Sequence, residues 1–165
     1  MAGTFLLLLL CFTLCSGAQN VENTPWQKVI PSEGIPESVH IQKANNNLDL
    51  IEYRGRYYLA FRTAPNHFAS KKTMIYVLSS SDLKEWELEK QVHLSNDLRE
   101  PRFAIFKNTL FLYYFEGGRK AWKFEPKHLY MSFKTSYGNW SEDHMTGLDG
   151  YIPWRLRVHD GLLYM

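Results

Sequence analysis

Several arginines lie near the ends of the predicted strands of this chain, where their charge could hold a ligand. They are Arg62, Arg99, Arg102 and Arg155. A guanidinium group donates paired hydrogen bonds, so several of them around one pocket would bind a carboxylate or a group of hydroxyls. In the alternative interpretation, each arginine extends its charged end into solvent. Whether an arginine binds a ligand or faces solvent depends on the strands and turns that position it.

Three similar hairpins organise the chain, each with an apolar run, a short polar turn and a more aromatic run. They are Leu48–Arg62, Leu98–Gly118 and Arg155–Met165. Their turns align at Gly55, Asn108 and Gly161, so that successive turns lie 53 residues apart. Glycine and asparagine suit the positive φ of two-residue hairpin turns. A fixed period of this size indicates a repeat architecture, and β-propellers are among those architectures.

The outer parts of the repeats follow nearly the same period, because Trp86 and Trp140 lie 54 residues apart. The predicted strands are Leu48–Tyr53, Arg56–Arg62, Thr73–Leu78, a strand ending at Val92, Phe103–Phe106, Thr109–Phe115 and His128–Phe133. We therefore predict an all-β fold, a partial β-propeller of about two four-stranded antiparallel blades plus the start of a third. Blade one covers about 48–97, blade two about 98–150, and blade three starts in 151–165.

A closed propeller needs roughly four to eight blades. We therefore expect the chain to be a fragment, either a truncated gene model or a short isoform of a longer protein. A fragment of this kind would lack much of its axial pocket, so we expect it to be unstable and without glycosidase activity when expressed alone.

The first residues of the chain predict secretion to the extracellular space. Phe5–Leu14 is an apolar run of signal-peptide length, and small residues up to Ala18 suit cleavage, so residues 1–18 are the predicted signal peptide. Such a run is shorter than the roughly twenty residues of a membrane-spanning helix, so we expect no stable membrane insertion. The only two cysteines, Cys11 and Cys15, lie in this segment. The mature chain would therefore have no disulfide and no cysteine nucleophile.

Residues 19–47 form a predicted leader that prolines and a glycine interrupt. Within this leader Trp26–Ile30 is a candidate strand that would complete the last blade of a ring. In the alternative interpretation the leader lies across the surface of the protein.

Composition and motifs argue against several functions. The formal net charge is +2 and there is no basic run, so we do not expect nucleic-acid binding. The sequence has no Gly-rich phosphate loop, nucleophile elbow or metal-ligand cluster. We therefore predict no cofactor and no metal site.

Two motifs resemble those of a known family. One is Ser80-x-Asp82-Leu83-x-x-Trp86, and the other is Glu100-Pro101-Arg102-Phe103 followed by the aromatic run Leu110–Phe115. Over about Leu48–Met165 the chain resembles the five-bladed β-propeller glycosidases, the group of arabinanases, xylosidases and invertase-like enzymes. It is more distantly similar to sialidase-like propellers. Their turn has Gly where this chain has Lys84, and their Trp comes one residue later than Trp86.

The resemblance implies a secreted, carbohydrate-active protein that binds a saccharide in the axial pocket of its full-length form. In this family, carboxylates at the first residues of the inner strands act on the glycosidic bond. Only Glu100 matches such a position. Its repeat counterparts are Asn47 and Pro153, neither of which can act as acid or base. Asp49 is a second catalytic candidate, because strand alternation would keep it on the same side as Asn47.

Two alternatives remain open at this point. In the first, Glu100 forms a salt bridge with Arg99 or Arg102 instead of acting in catalysis. In the second, the whole protein is a non-catalytic lectin-like or protein-interaction propeller. The sequence therefore does not decide whether the protein is an enzyme.

Further residues are predicted around the ligand or on the surface. The four arginines are candidates for substrate binding, together with Trp154, which would stack on a sugar or pack in the core. His67, on a loop, would contact the ligand from the rim or remain solvated. Asn139 begins the sequence Asn139-Trp140-Ser141 and is a predicted N-glycosylation site.

Overall fold

The computed structural model describes residues 26–165, and these residues form strands and loops without a helix. The predicted signal peptide, residues 1–18, lies outside the described residues. The first sheet contains β1 (Ala44–Tyr53), β2 (Arg56–Ala64), β3 (Met74–Ser80) and β4 (Glu87–Val92). The second contains β5 (Leu98–Phe106), β6 (Thr109–Glu116), β7 (Leu129–Phe133) and β8 (His144–Met145), and a two-stranded hairpin contains β9 (Arg157–His159) and β10 (Leu162–Tyr164).

Each four-stranded sheet is antiparallel, with its strands in chain order, and the sheets do not close into a ring. This arrangement confirms the predicted fold class, a partial β-propeller of two blades and the beginning of a third. No helix within residues 26–165 is long and apolar enough to cross a membrane.

The three hairpin turns share one backbone conformation. Both central residues of each turn are left-handed: Arg54 and Gly55 (φ 52° and 75°), Lys107 and Asn108 (46° and 58°), and Asp160 and Gly161 (48° and 71°). Two left-handed residues in succession characterise the type I′ turn, whose twist matches that of the flanking strands. The 53-residue period therefore corresponds to a repeated local geometry.

A β-bulge also recurs with this period. The pairing of β1 with β2 shifts between Asn46 and Asp49, and that of β5 with β6 shifts between Arg99 and Arg102. β5 begins at Leu98 instead of the predicted Phe103, because pairing continues on the far side of its bulge. An extra residue breaks the alternation of side chains along a strand. In β1 the bulge lies between Asn46 and Asp49, where the sequence predicts regular alternation.

Two apolar layers cover the faces of the first sheet. Alternate residues of β2 point to opposite faces, so Tyr58 and Ala60 pack towards the second sheet while Leu59 and Phe61 pack on the other face. The layer between the sheets includes Leu110, Leu112 and Tyr114 of β6, which are fully buried. This shared core holds the two blades side by side.

The leader covers the remaining face of the first sheet. Its described part contains no strand before β1, and the candidate strand Trp26–Ile30 is irregular. Val39 and its apolar neighbours pack on Phe61, and the Trp86 amide donates a hydrogen bond of 2.9 Å to the carbonyl of Gly34. Proline has no amide hydrogen to give to a sheet ladder, so the proline-rich leader packs through its side chains instead.

The outer turn of blade one is held by two short side chains. The Ser80 hydroxyl accepts hydrogen bonds from the amides of Asp82 and Leu83, and Asp82 Oδ1 accepts from the amides of Lys84 and Glu85. These two backbone donors lower the pKa of Asp82. The Ser-x-Asp part of the motif is therefore structural in this chain.

Candidate functional site

The residues singled out for ligand binding lie mostly at one end of the two blades. This end, where β1 and β5 begin, is called the upper face here. Because neighbouring strands are antiparallel, β2 and β6 end at the same place and the loops 65–73 and 117–128 follow there. The first strands of the three sheets, β1, β5 and β9, lie side by side. Residues far apart in the sequence therefore meet at the upper face.

The centre of the site is a cluster of Asn47, Glu100 and Arg102, called the axial cluster here. Asn47 Nδ2 donates a hydrogen bond to Glu100 Oε1, and Arg102 Nη2 forms an ion pair of 2.6 Å with Glu100 Oε2. Glu100 is only 6% exposed. The structure thus forms the Arg102 salt bridge that the sequence left as an alternative. Each carboxylate oxygen can still accept a second hydrogen bond.

Backbone conformation places this cluster. Asn47 and Glu100 are both left-handed, each with φ of 50°, and each lies within its β-bulge. Asparagine adopts this region more readily than most residues, while glutamate does so at a steric cost. The bulge therefore directs two repeat-related side chains to one point between β1 and β5.

Asp49 lies beside this cluster and supports the second blade. Its Oδ2 accepts a hydrogen bond of 2.7 Å from the amide of Phe103, and its Oδ1 accepts one of 3.2 Å from the amide of Leu50. Burial raises the pKa of the Asp49 carboxyl, although the Phe103 amide and the charge of Arg102 oppose the increase. Asp49 is accordingly more easily protonated than an exposed aspartate.

A polar groove extends from Asp49 towards the third hairpin. It has a volume of about 420 Å³, and its walls include Asp49, Arg102, Trp154, Arg155 and Arg157. Arg102 Nη1 donates to the carbonyl of Leu48 (3.1 Å), and its Nε donates to the carbonyl of Trp154 (3.2 Å). The Trp154 side chain is exposed. Arg102 therefore connects the first two hairpins with the segment that leads into the third, and three of the predicted substrate-binding residues, Arg102, Trp154 and Arg155, border the groove.

Arg62 occupies a different environment from the other predicted arginines. Its side chain is fully buried and forms an ion pair of 2.8 Å with Asp97, which is also buried. Its remaining donors reach the carbonyls of Leu98, Asn66 and Phe68. Burial lowers the pKa of Arg62, and the hydrogen bond and charge of Asp97 oppose this effect. The structure places Arg62 beneath the upper face, where protein acceptors surround it.

Arg99 and His67 meet at the rim above this ion pair. Arg99 Nε contacts Asp97 Oδ2 at 2.5 Å, and Arg99 Nη2 donates to the carbonyl of His67 at 2.8 Å. The His67 ring nitrogen Nδ1 lies 3.1 Å from the amide nitrogen Nδ2 of Asn46. Together with Arg62, the Asp97–Arg99 pair holds three consecutive carbonyls of the 65–73 loop, those of residues 66, 67 and 68.

A cleft of about 280 Å³ opens between the loops 65–73 and 117–128 and is called the aromatic cleft here. It is lined by His67, Phe68, Arg99, Trp122, Lys123 and Glu125, among others. The rings of Phe68 and Trp122 lie 4.5 Å apart and are 41% and 86% exposed. Exposed aromatic rings next to charged groups can provide both stacking and hydrogen bonds for a ligand.

The sequence interpretation missed Phe68, Trp122 and Asp97. The two aromatic residues stand in loops at nearly equivalent repeat positions, 54 residues apart, and this spacing is visible in the sequence. Asp97 immediately precedes the strand β5, but no sequence pattern indicates that its partners are Arg62 and Arg99. Those contacts depend on how the blades pack.

Asn139 lies away from the upper face, in the exposed turn between the bridged residues Lys134 and Trp140. Its side chain faces solvent, as glycosylation would require. Among residues 26–165, no group of three or more His, Cys, Asp or Glu side chains is arranged to hold a metal ion.

Comparison with known proteins does not assign a family. No protein-family model matches the chain, and no curated protein matches it.

Proposed function

We propose that this chain belongs to a secreted, carbohydrate-active β-propeller related to glycoside hydrolases, and that its upper face binds a saccharide. The observation that carries the proposal is the axial cluster, in which an amide, a carboxylate and a guanidinium group meet beside the inner strands. A sugar hydroxyl both donates and accepts hydrogen bonds, so it suits a site that offers both kinds of group.

Binding is the role that the described residues support best. Both oxygens of Glu100 already have protein partners, the Asn47 amide and the Arg102 guanidinium. These partners keep a charged acceptor in a defined orientation, which favours recognition of a hydroxyl. A lectin-like propeller would use the cluster in this way without cleaving a bond.

Hydrolysis is the second candidate function, and one observation favours it. Burial raises the pKa of Asp49, which lies next to Arg102, the ion-pair partner of Glu100, and glycoside hydrolysis uses two carboxyls, of which the acid must hold its proton. In this mechanism Asp49 would protonate the leaving oxygen, and Glu100 would act as base or nucleophile. Asp49 would first have to release the amide of Phe103.

The test uses the chain fused to a carrier protein that binds no sugar. The fusion is applied to an array of immobilised glycans that includes arabino- and xylo-oligosaccharides, and bound sugars are then assayed for new reducing ends. We expect binding that Glu100→Gln weakens by roughly tenfold or more, because a charged acceptor is lost. Glu37→Gln, at an exposed leader glutamate that takes no part in the cluster, is the matched control.

The outcomes separate the candidates. Binding that Glu100→Gln weakens supports saccharide recognition at the axial cluster, and reducing ends that disappear in both Glu100→Gln and Asp49→Asn support the hydrolase. A fusion that binds no glycan, or an equal loss in Glu100→Gln and Glu37→Gln, contradicts the proposed function.

A further inference from the structure

We propose that the aromatic cleft is a second saccharide subsite, so that the upper face recognises an oligosaccharide of at least two rings. This inference rests on the proposed function and extends it. It assigns the first ring to the axial cluster and the next ring to the aromatic surface formed by Phe68 and Trp122.

The two β-bulges join the two places. In each bulge, one residue belongs to the axial cluster, and the residue before it contacts His67 at the rim of the aromatic cleft. Asn47 and Glu100 bond to each other, whereas Asn46 and Arg99 both contact His67. Consecutive Cα atoms are about 3.8 Å apart, so each bulge spans only a short length of backbone between the axial cluster and the rim of the cleft. A chain of linked sugar rings could therefore extend from one site into the other.

The chemistry of the cleft suits a sugar ring. Trp122 is 86% exposed although it is a large apolar side chain, and Phe68 beside it is 41% exposed. The C–H face of a sugar ring packs on such aromatic surfaces, while hydroxyls at the ring edge need polar partners. Arg99, Lys123 and Glu125 line the same cleft, and Lys123 forms an ion pair with Glu125 whose remaining donors and acceptor could meet the hydroxyls.

The size of the cleft also limits its occupant. A volume of about 280 Å³ is slightly below the range for small-molecule sites, which is about 300–1,000 Å³. A single ring of a saccharide fits this space, whereas a folded partner would need a much larger surface.

The floor of the cleft is fixed before any ligand arrives. Buried Arg62 holds the carbonyls of Asn66 and Phe68, and Arg99 holds the carbonyl of His67. Both guanidinium groups share the carboxylate of Asp97. Because this floor is already ordered, it loses little conformational entropy when a ligand binds, and this favours affinity.

The experiment compares one-ring and three-ring sugars on the same fused chain. Affinities for xylose, xylotriose, arabinose and arabinotriose are measured by calorimetry for the wild type, Trp122→Ala, Trp122→Phe and Glu100→Gln. Trp26→Ala is the matched control, because Trp26 is fully exposed and lies in the leader. Thermal melting of each variant establishes that it is folded.

We expect Trp122→Ala to weaken trisaccharide binding by roughly tenfold and to leave monosaccharide binding unchanged. Trp122→Phe should restore most of the trisaccharide affinity, because an aromatic face remains, and Trp26→Ala should have no effect. Glu100→Gln should weaken binding of both sugar lengths.

Three results would overturn the proposal. If Trp122→Ala leaves trisaccharide affinity unchanged while Glu100→Gln lowers it, the proposal of a second subsite is contradicted. The proposed function is then still supported. The same conclusion follows if Trp122→Ala weakens both sugar lengths equally. If the wild type binds none of the four sugars, the second subsite fails together with saccharide binding at the axial cluster.

Discussion

Asn47 and Glu100 are separated by 53 residues in the chain and are hydrogen bonded to each other across the boundary between two blades. Each is left-handed, with φ of 50°, and each lies in the bulge of the first strand of its sheet. The repeat therefore places one backbone geometry twice, side by side. One copy carries the amide of Asn47 and the other the carboxylate of Glu100, so the first side chain can donate a hydrogen bond that the second accepts.

The first prediction concerns this pair. Asn47→Ala should lower the free energy of unfolding more than Asn47→Gly, although both variants lose the bond to Glu100. Alanine in the left-handed region costs roughly 1–2 kcal/mol, a cost that glycine avoids. Urea denaturation of the fused chain measures the difference. Equal stability of the two variants would show that position 47 does not need its left-handed backbone.

The second prediction concerns the buried ion pair of Arg62 and Asp97. Asp97→Leu alone should lower the free energy of unfolding by about 3–5 kcal/mol, because it leaves a buried guanidinium without its counter-charge. The double variant Arg62→Met with Asp97→Leu should be more stable than the sum of the single losses predicts, which chemical denaturation would reveal. For comparison, Glu87→Gln breaks an ion pair with Arg56 that is largely exposed and should change stability by about 1 kcal/mol or less. Strict additivity in the double variant would argue against a direct coupling.

The third prediction concerns pH and Asp49. Burial raises its pKa in the folded chain, so the folded state binds this proton more tightly than the unfolded state. The resulting stabilisation is complete below the unfolded pKa and is lost as pH rises through the folded pKa. Asp49→Asn stays neutral and keeps an acceptor for Phe103. It should therefore gain stability relative to the wild type at neutral pH but not in acid. Denaturation curves from acidic to neutral pH test this, and a constant difference across that range would contradict it.

The fourth prediction is a glycan on Asn139. The chain secreted from a eukaryotic cell should lose apparent mass on treatment with a glycosidase that removes N-linked glycans, and Asn139→Gln should abolish the change. The exposed turn makes Asn139 accessible to the transferase. The neighbouring substitution Tyr137→Phe leaves the sequon intact and should keep the mass change. A mass change that survives in Asn139→Gln would place the glycan elsewhere.

The fifth prediction is self-association of the unfused chain. The hairpin of β9 and β10 exposes Val158, Leu162 and Tyr164, and β10 pairs only with β9 among the described strands. A strand with one unpaired edge and apolar side chains readily pairs with another chain. We expect oligomers or aggregates by size-exclusion chromatography, and a smaller proportion of them in Leu162→Lys. A soluble wild-type monomer with a cooperative melting transition and sugar turnover would contradict this prediction.

Much of the fold could be predicted from local patterns. A type I′ turn needs two left-handed residues, and Arg54-Gly55, Lys107-Asn108 and Asp160-Gly161 place Gly or Asn at the second of them. Alternating apolar residues such as Leu110, Leu112 and Tyr114 then indicate which side of a strand is buried. These signals depend on neighbours in sequence, so the strands, their repeat and the all-β class follow without knowledge of long-range contacts.

The site depended on contacts that no local pattern encodes. The sequence placed Arg62, Arg99 and Arg102 in one class, yet packing buries Arg62 against Asp97, places Arg99 at a cleft and joins Arg102 to Glu100. Asn47 and Asp49 both bond to residues of β5, Glu100 and Phe103, although a bulge in β1 shifts the register between Asn46 and Asp49. The sequence by itself determined the hairpins and their period, because turns and side-chain alternation are local properties. The tertiary structure decided the environment of each charged residue, because burial and ion pairing depend on how the two blades meet.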